Sequence, residues 1–147
     1  MKKGKWRNAV FAVVWTKENN KIKYLILKRK KHWIGWEFPK GKIEFLETKK
    51  MAVRREVKEE TGLRILKIKR FHVDGLYKYK KKMNDRKGFI GQTYHLFSAE
   101  AQKGKVSIKE EHSDFKWMDF NEAVKKVTWE NQKKCLKIVN HYLENEI

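Results

Sequence analysis

Three glutamates, Glu56, Glu59 and Glu60, stand at i, i+3 and i+4, so on a helix their carboxylates share one face. Like charges held that close repel one another unless something cationic sits among them. Arg54 and Arg55 supply part of that compensation. A hard divalent cation such as Mg²⁺ would supply more, because it takes carboxylate oxygens and keeps several waters. Read by charge alone, the same residues also describe an ordinary solvated helix face laced with Glu, Lys and Arg.

Spacing separates the two readings. The stretch 41–63, GKIEFLETKKMAVRREVKEETGL, places five residues between Gly41 and Glu47 and seven between Glu47 and Arg55-Glu56. Apolar Val57, then Glu59-Glu60, Thr61, Gly62 and apolar Leu63 complete it. So many fixed positions are far more specific than a lone glycine motif. The pattern resembles the signature of the Nudix hydrolases.

That resemblance implies hydrolysis of a phosphoanhydride, in which divalent cations clamp the phosphates and make water a better nucleophile. Carried over residue by residue, Glu56, Glu59 and Glu60 become the expected Mg²⁺ or Mn²⁺ ligands. Glu56 or Glu59 is alternatively the general base. Arg55 and Glu47 are expected to pair and hold the helix and loop in place. A further acid in relatives precedes a late strand, and Glu111, beside Glu110, occupies that position as an additional ligand or base.

These side chains need a scaffold. Residues 6–16 contain an apolar, β-branched run suited to a buried strand, and 22–29 a second strand, antiparallel to the first across the turn chemistry of 18–21. Residues 30–40 form an aromatic-rich connection ending in Pro39, the only proline. Thr48 is expected to cap a helix that ends at Thr61 with Gly62 beyond it, facing inward through Met51, Ala52 and Val57. Strands are expected at 65–77, 92–99 and 114–118, with a basic loop over 78–88. From Asn121 onward the pattern is helical, and Cys135, Leu136, Val139, Tyr142 and Leu143 make one apolar stripe for core packing. The result is an α/β chain with a mixed sheet, matching the α/β/α sandwich that the resemblance implies, in one domain over 1–147.

Composition bounds the rest. Apolar residues make up 40% of the chain, with six Trp, eight Phe and five Tyr, which argues for a folded core despite 37% charged residues. A net charge of +19 favours encounter with anions, whether nucleotides, polyphosphates or RNA, and equally describes a lysine-rich solubilising surface. Cys135 stands alone, so no internal disulfide forms. The histidines at 32, 72, 95, 112 and 141 show no metal-ligand spacing. The basic-then-apolar N-terminus lacks a cleavage site and reads as a strand, and no run suits a membrane span, so the expected location is cytoplasmic.

Beyond the motif, the flank Trp36 to Glu44 and the segments around Tyr94 and Trp117 are similar to the dinucleoside tetraphosphate hydrolases. Two positions depart from that group: Lys42 replaces a common His and resembles messenger-RNA decapping enzymes, and Leu46 stands where Gly is common. The substrate side is assigned Lys40, Gly41 and Lys42 at the mouth of the motif together with Lys87, the lysines meeting phosphates. Tyr77, Tyr79 and Phe89 are placed to stack on a base. The expected substrate is a nucleotide polyphosphate, first a dinucleoside tetraphosphate. RNA 5′ ends and nucleoside triphosphates are alternatives, and a non-catalytic nucleotide- or RNA-binding module is the alternative of another class. The chain is expected to act as a monomer or homodimer without a membrane partner.

Overall fold

A computed structural model describes residues 5–78 and 89–146, apart from the side chain of Tyr77. Among these residues, seven strands join in one sheet. In chain order the elements are β1 (Lys5–Glu18), β2 (Lys21–Arg29), β3 (Gly35–Glu37), β4 (Lys40–Lys42), α1 (Lys49–Thr61), β5 (Ile65–Lys78), β6 (Phe89–Ala101), β7 (His112–Met118), α2 (Phe120–Lys126) and α3 (Glu130–Glu146).

β1 organises the sheet. It runs parallel to β6 from Trp6↔Gly91 to Trp15↔Glu100 and antiparallel to β2 from Trp15↔Tyr24 to Glu18↔Lys21. The β1–β2 turn carries Asn19 and Asn20 at φ 52° and 65°, the left-handed pair that a tight hairpin needs and asparagine tolerates. Alternate β1 side chains then serve two cores. Phe11, Val13 and Trp15 pack with Ala123, Cys135, Leu136, Val139 and Leu143 on one face. Val10, Ala12 and Val14 pack with Ala52, Val53 and Val57 on the other. Helices therefore cover both faces of a mixed sheet, the expected α/β/α sandwich. Each fully buried aliphatic contributes roughly 1.5–3 kcal/mol.

β1 and β2 part company beyond their hairpin. β4 takes the vacated place, pairing Ala9↔Lys42, Val10↔Gly41 and Phe11↔Lys40, while β2 turns to β3 and β7. The chain leaves this split and enters α1. Thr48 Oγ1 accepts from Met51 N–H at 3.1 Å, and Gly62, at φ 75°, closes the helix by donating to the Lys58 carbonyl at 2.8 Å.

Three expectations are corrected. Met51 is 53% exposed, and Val53 takes the buried place beside Ala52 and Val57, because Met51 lies in the first turn off the face that meets the sheet. The connection over 30–40 contains β3 and the start of β4. The C-terminal helical pattern is two helices, broken where Val127 turns to extended backbone and is buried. Thr128 ties that break to β3, accepting from Trp36 N–H at 2.9 Å and donating to the Trp36 carbonyl at 3.0 Å. Tyr79 and Lys87 lie outside the described residues, as does most of the basic loop. No helix of the described residues is long and apolar enough to cross a membrane.

Candidate active site

Arg55 is the hub of the site. Its Nε donates to Glu47 Oε2 at 2.7 Å and one terminal nitrogen to Glu47 Oε1 at 2.9 Å, the two-point fork that guanidinium makes with carboxylate. The same terminal nitrogen donates to the Lys42 carbonyl at 2.8 Å. The other terminal nitrogen reaches Glu56 Oε1 at 2.6 Å and Glu59 Oε2 at 3.4 Å. The expected Arg55–Glu47 pair thus forms, and it also touches two of the three clustered glutamates. Glu47 Oε1 further accepts Glu44 N–H at 2.9 Å, which closes the loop over the helix. The Arg55 hydrogen bonds, aided by Glu44 N–H, hold the Glu47 carboxyl down to about 2.

Glu56 and Glu60 behave oppositely. Burial, and then the charges of Glu59 and Glu111, push Glu56 up to about 7 against the pull of Arg55. Glu60 is buried, and its burial, with the charges of Glu56, Glu37 and Glu111, carries it well above the ordinary carboxylate range. Its Oε2 accepts Lys40 N–H at 3.2 Å. Glu59 and Glu111 have side chains 60% and 50% exposed. One carboxylate oxygen each from Glu60 and Glu111 and a ring nitrogen of His112 lie within 4.8 Å of one another.

Gly41 makes room for this arrangement. A Cβ there would stand 2.1–2.4 Å from the carboxyl atoms of Glu56, so only glycine lets β4 pass so near the acid. A cleft of about 320 Å³ opens over these groups. Of the expected residues, Lys40, Gly41, Arg55, Glu56, Glu59 and Glu111 line it. Lys42 instead braces Arg55 through its carbonyl and holds its ammonium 5.9 Å from the centre of the Phe89 ring. Lys40 turns its ammonium to Glu37 Oε1 at 3.6 Å. A second hollow of about 500 Å³, between β5 and α3, lies away from the motif glutamates and is mostly apolar.

Five further residues line the cleft: Arg7, Arg29, His32, Glu44 and Gln92. Arg7 and Gln92 face each other across the parallel β1–β6 pair, a long-range register that no local pattern announces. Arg29 is only 5% exposed, which is unusual for arginine, and it carries an ion pair to Glu37 at 3.2 Å. His112 joins Glu60 across 52 positions of sequence, so spacing alone could not nominate it.

The donor chemistry fits a divalent cation. The acids offer hard oxygen ligands, and Glu56 and Glu60 resist ionisation because they are buried among other acids, a cost that a cation offsets. Glu56, Glu59, Glu60 and Glu111 are the residues that would hold it. Bound there, it would neutralise phosphate charge and make water more acidic.

Residues 5–137 match the NUDIX domain model, and the chain belongs to the Nudix family. It is an enzyme, a hydrolase of phosphoanhydride bonds, in a family that generally uses a divalent metal. It is 31% identical to an 8-oxo-dGTP diphosphatase of Buchnera aphidicola subsp. Schizaphis graminum over 116 residues, 78% of each chain. Identity to an RNA pyrophosphohydrolase of Nitratiruptor sp. is 27%, covering 97% of this chain and 96% of that one. Among solved structures, an Ap4A hydrolase of C. elegans in a binary complex superposes with a TM-score of 0.78, covering 95% of this chain and 98% of that one at 22% identity.

Proposed function

We propose that this Nudix pyrophosphohydrolase cuts a dinucleoside tetraphosphate asymmetrically, to a nucleoside triphosphate and a monophosphate. The observation that carries the reading is the cleft itself. Glu56, Glu59 and Glu111 line one chamber together with Arg7, Arg29 and Lys40. Acids that take a cation beside fixed cations of the chain suit a substrate with several consecutive phosphates, since each phosphate needs its own neutralisation. Likeness over the full fold to an Ap4A hydrolase supports the choice.

In this mechanism Arg55 keeps Glu56 and Glu59 in place, and Glu56 or Glu59 accepts the proton of the attacking water. Mg²⁺, or Mn²⁺ in its place, is the cation. Lys42, Tyr77, Tyr79 and Lys87 complete the substrate side, and the whole chain acts as one cytoplasmic domain, alone or as a homodimer.

A second reading is removal of pyrophosphate from RNA 5′ ends. The net charge of +19 and the likeness to an RNA pyrophosphohydrolase over nearly the whole chain favour it. A Mg²⁺-dependent screen with product identification tests both. Its panel is diadenosine tetraphosphate, 8-oxo-dGTP, dGTP and 5′-triphosphorylated RNA. Release of ATP and AMP from the tetraphosphate, abolished by chelator, is the expected result. Turnover confined to RNA ends would overturn the first reading in favour of the second.

A further inference from the structure

Glu37 lies outside the helical motif and has no exposed surface, yet its partners favour the carboxylate form. Burial alone would raise its pKa. A hydrogen bond from His112 and the charges of Lys40 and Arg29 hold it below the usual range. His112 is itself 2% exposed and donates from Nε2 to Glu37 Oε2 at 2.9 Å. Arg29 reaches the same oxygen at 3.2 Å, gives its Nε to the Lys31 carbonyl at 2.9 Å, and stands 3.9 Å from Glu111 Oε2. A buried ionic group of this kind adds little stability over apolar residues of similar volume, so its role is sought in geometry.

We propose that the Glu37–His112 pair, braced by Arg29, is a positioning device that holds Glu111 against Glu60 and so sets the affinity of the cation site. The inference rests on the reading of Glu111 as a cation ligand.

Glu111 has no strand of its own to fix it, for β7 begins one residue later. Its carbonyl accepts Lys30 N–H at 2.9 Å, and its neighbour His112 pairs with Arg29 across β2–β7, just past a register shift. The backbone at Glu111 is thus gripped on one side by the end of β2 and on the other by an imidazole locked into the core. The half-exposed side chain inherits its direction from that grip. Glu60 is tied to the same cluster by Lys40, whose backbone N–H meets Glu60 while its ammonium faces Glu37. Residues around 29 and 37–40, on neighbouring strands, and 111–112, far off in sequence, therefore meet at one buried carboxylate. Carboxylate–imidazole partners behind a cation site typically change its affinity 10–100-fold when removed.

The test is Mn²⁺ binding to the full chain, read from the magnetic-resonance signal of the free hydrated ion, with thermal melts as the folding check. His112→Ala is expected to weaken binding about 10-fold. His112→Gln offers an amide N–H near the place of Nε2 and is expected to recover most of the loss. Glu111→Gln also weakens binding, and adding His112→Ala to it costs less than about 2-fold more, because the grip then holds nothing that binds. The proposal is overturned if His112→Ala binds Mn²⁺ like the native chain, or if its full loss persists beside Glu111→Gln. Native affinity in Glu111→Gln alone would instead remove Glu111 from the ligands, overturning the underlying reading and the inference with it. Should His112→Ala fail to fold, Glu37→Gln takes its place in the same comparison.

Discussion

Gly41 and Glu56 occupy adjoining space so fully that a methyl group on the glycine would stand 2.1 Å from the carboxyl carbon of the glutamate. Gly41 sits on β4, hydrogen-bonded against β1, and cannot retreat without breaking the sheet. Glu56 is held by Arg55 and yields first. Gly41→Ala is therefore expected to fold with a melting temperature close to native while kcat falls by about 10²-fold, the scale of loss for a displaced reacting group. Unchanged kcat would show that the Glu56 carboxylate works from a different position.

Arg55→Lys tests the fork. Lysine keeps the charge but loses the planar pair of donors that grips Glu47 while touching Glu56 and Glu59. Activity is expected to fall about 10²-fold, with a loss of stability of roughly 1.5–3 kcal/mol, that of a hydrogen bond to a charged group. Steady-state kinetics and denaturant titration measure the two effects. Full activity in the variant would reduce Arg55 to a tether for its loop.

Glu59→Gln separates a ligand or base from a bystander. Glu59 is the most exposed of the three clustered glutamates, so the substitution disturbs packing least. Hydrolysis of the best substrate is expected to slow by about 10²–10⁴-fold, as for loss of a proton-transfer group, with the melting temperature preserved. A native rate would exclude Glu59 from catalysis.

The raised acids predict a pH signature. A group whose folded pKa lies above its unfolded value stabilises the fold at low pH and loses that contribution as pH rises through the folded value. For Glu56 that window runs from the ordinary carboxylate range to about 7. Without divalent cation, the melting temperature is expected to fall by roughly 5 °C between pH 5 and 8. Saturating Mg²⁺ should abolish the fall, and calorimetry in buffers of different ionisation heat should show protons released on binding near pH 6. Glu47 has the opposite sign: its pairing with Arg55 supports the fold above the ordinary range and is lost as pH drops toward 2. A cation-free melt that does not vary between pH 5 and 8 would contradict the crowding of Glu56.

Leu46 predicts a gain. It holds φ at 62°, a left-handed conformation costly for a side chain with a Cβ, and is 85% exposed, so no buried contact offsets the strain. Leu46→Gly is expected to alter stability by a net gain of up to about 1 kcal/mol, strain relief outweighing the added freedom of the unfolded chain. A loss in the denaturant midpoint would show that the leucine makes a stabilising contact.

Much of the architecture was legible because short-range rules carried it. Thr48 and Thr61-Gly62 mark the ends of α1 by capping chemistry, and the apolar stripe of α3 faces the core at helical spacing. The pairing of Arg55 with Glu47 followed from the motif. Arg7 and Gln92 were not legible, because they meet only through the parallel β1–β6 register. Nor was the direction of Lys40, which depends on a buried Glu37 that reads in sequence as one more charged residue. Met51 misled because one apolar residue in a first helical turn fits more than one face.

The split between β1 and β2 has a consequence for adaptation. Glu56, Glu59 and Glu60 ride on α1, which the chain enters from β4 seated in the gap, while Glu111 comes from the turn before β7. Arg7 and Gln92, which also line the cleft, belong to β1 and β6, strands that hold the sheet together from elsewhere in the chain. The motif acids and these strand residues of the cleft are thus separable parts of the chain. A library confined to positions 7, 32 and 92 is expected to change substrate preference while leaving the motif acids in place.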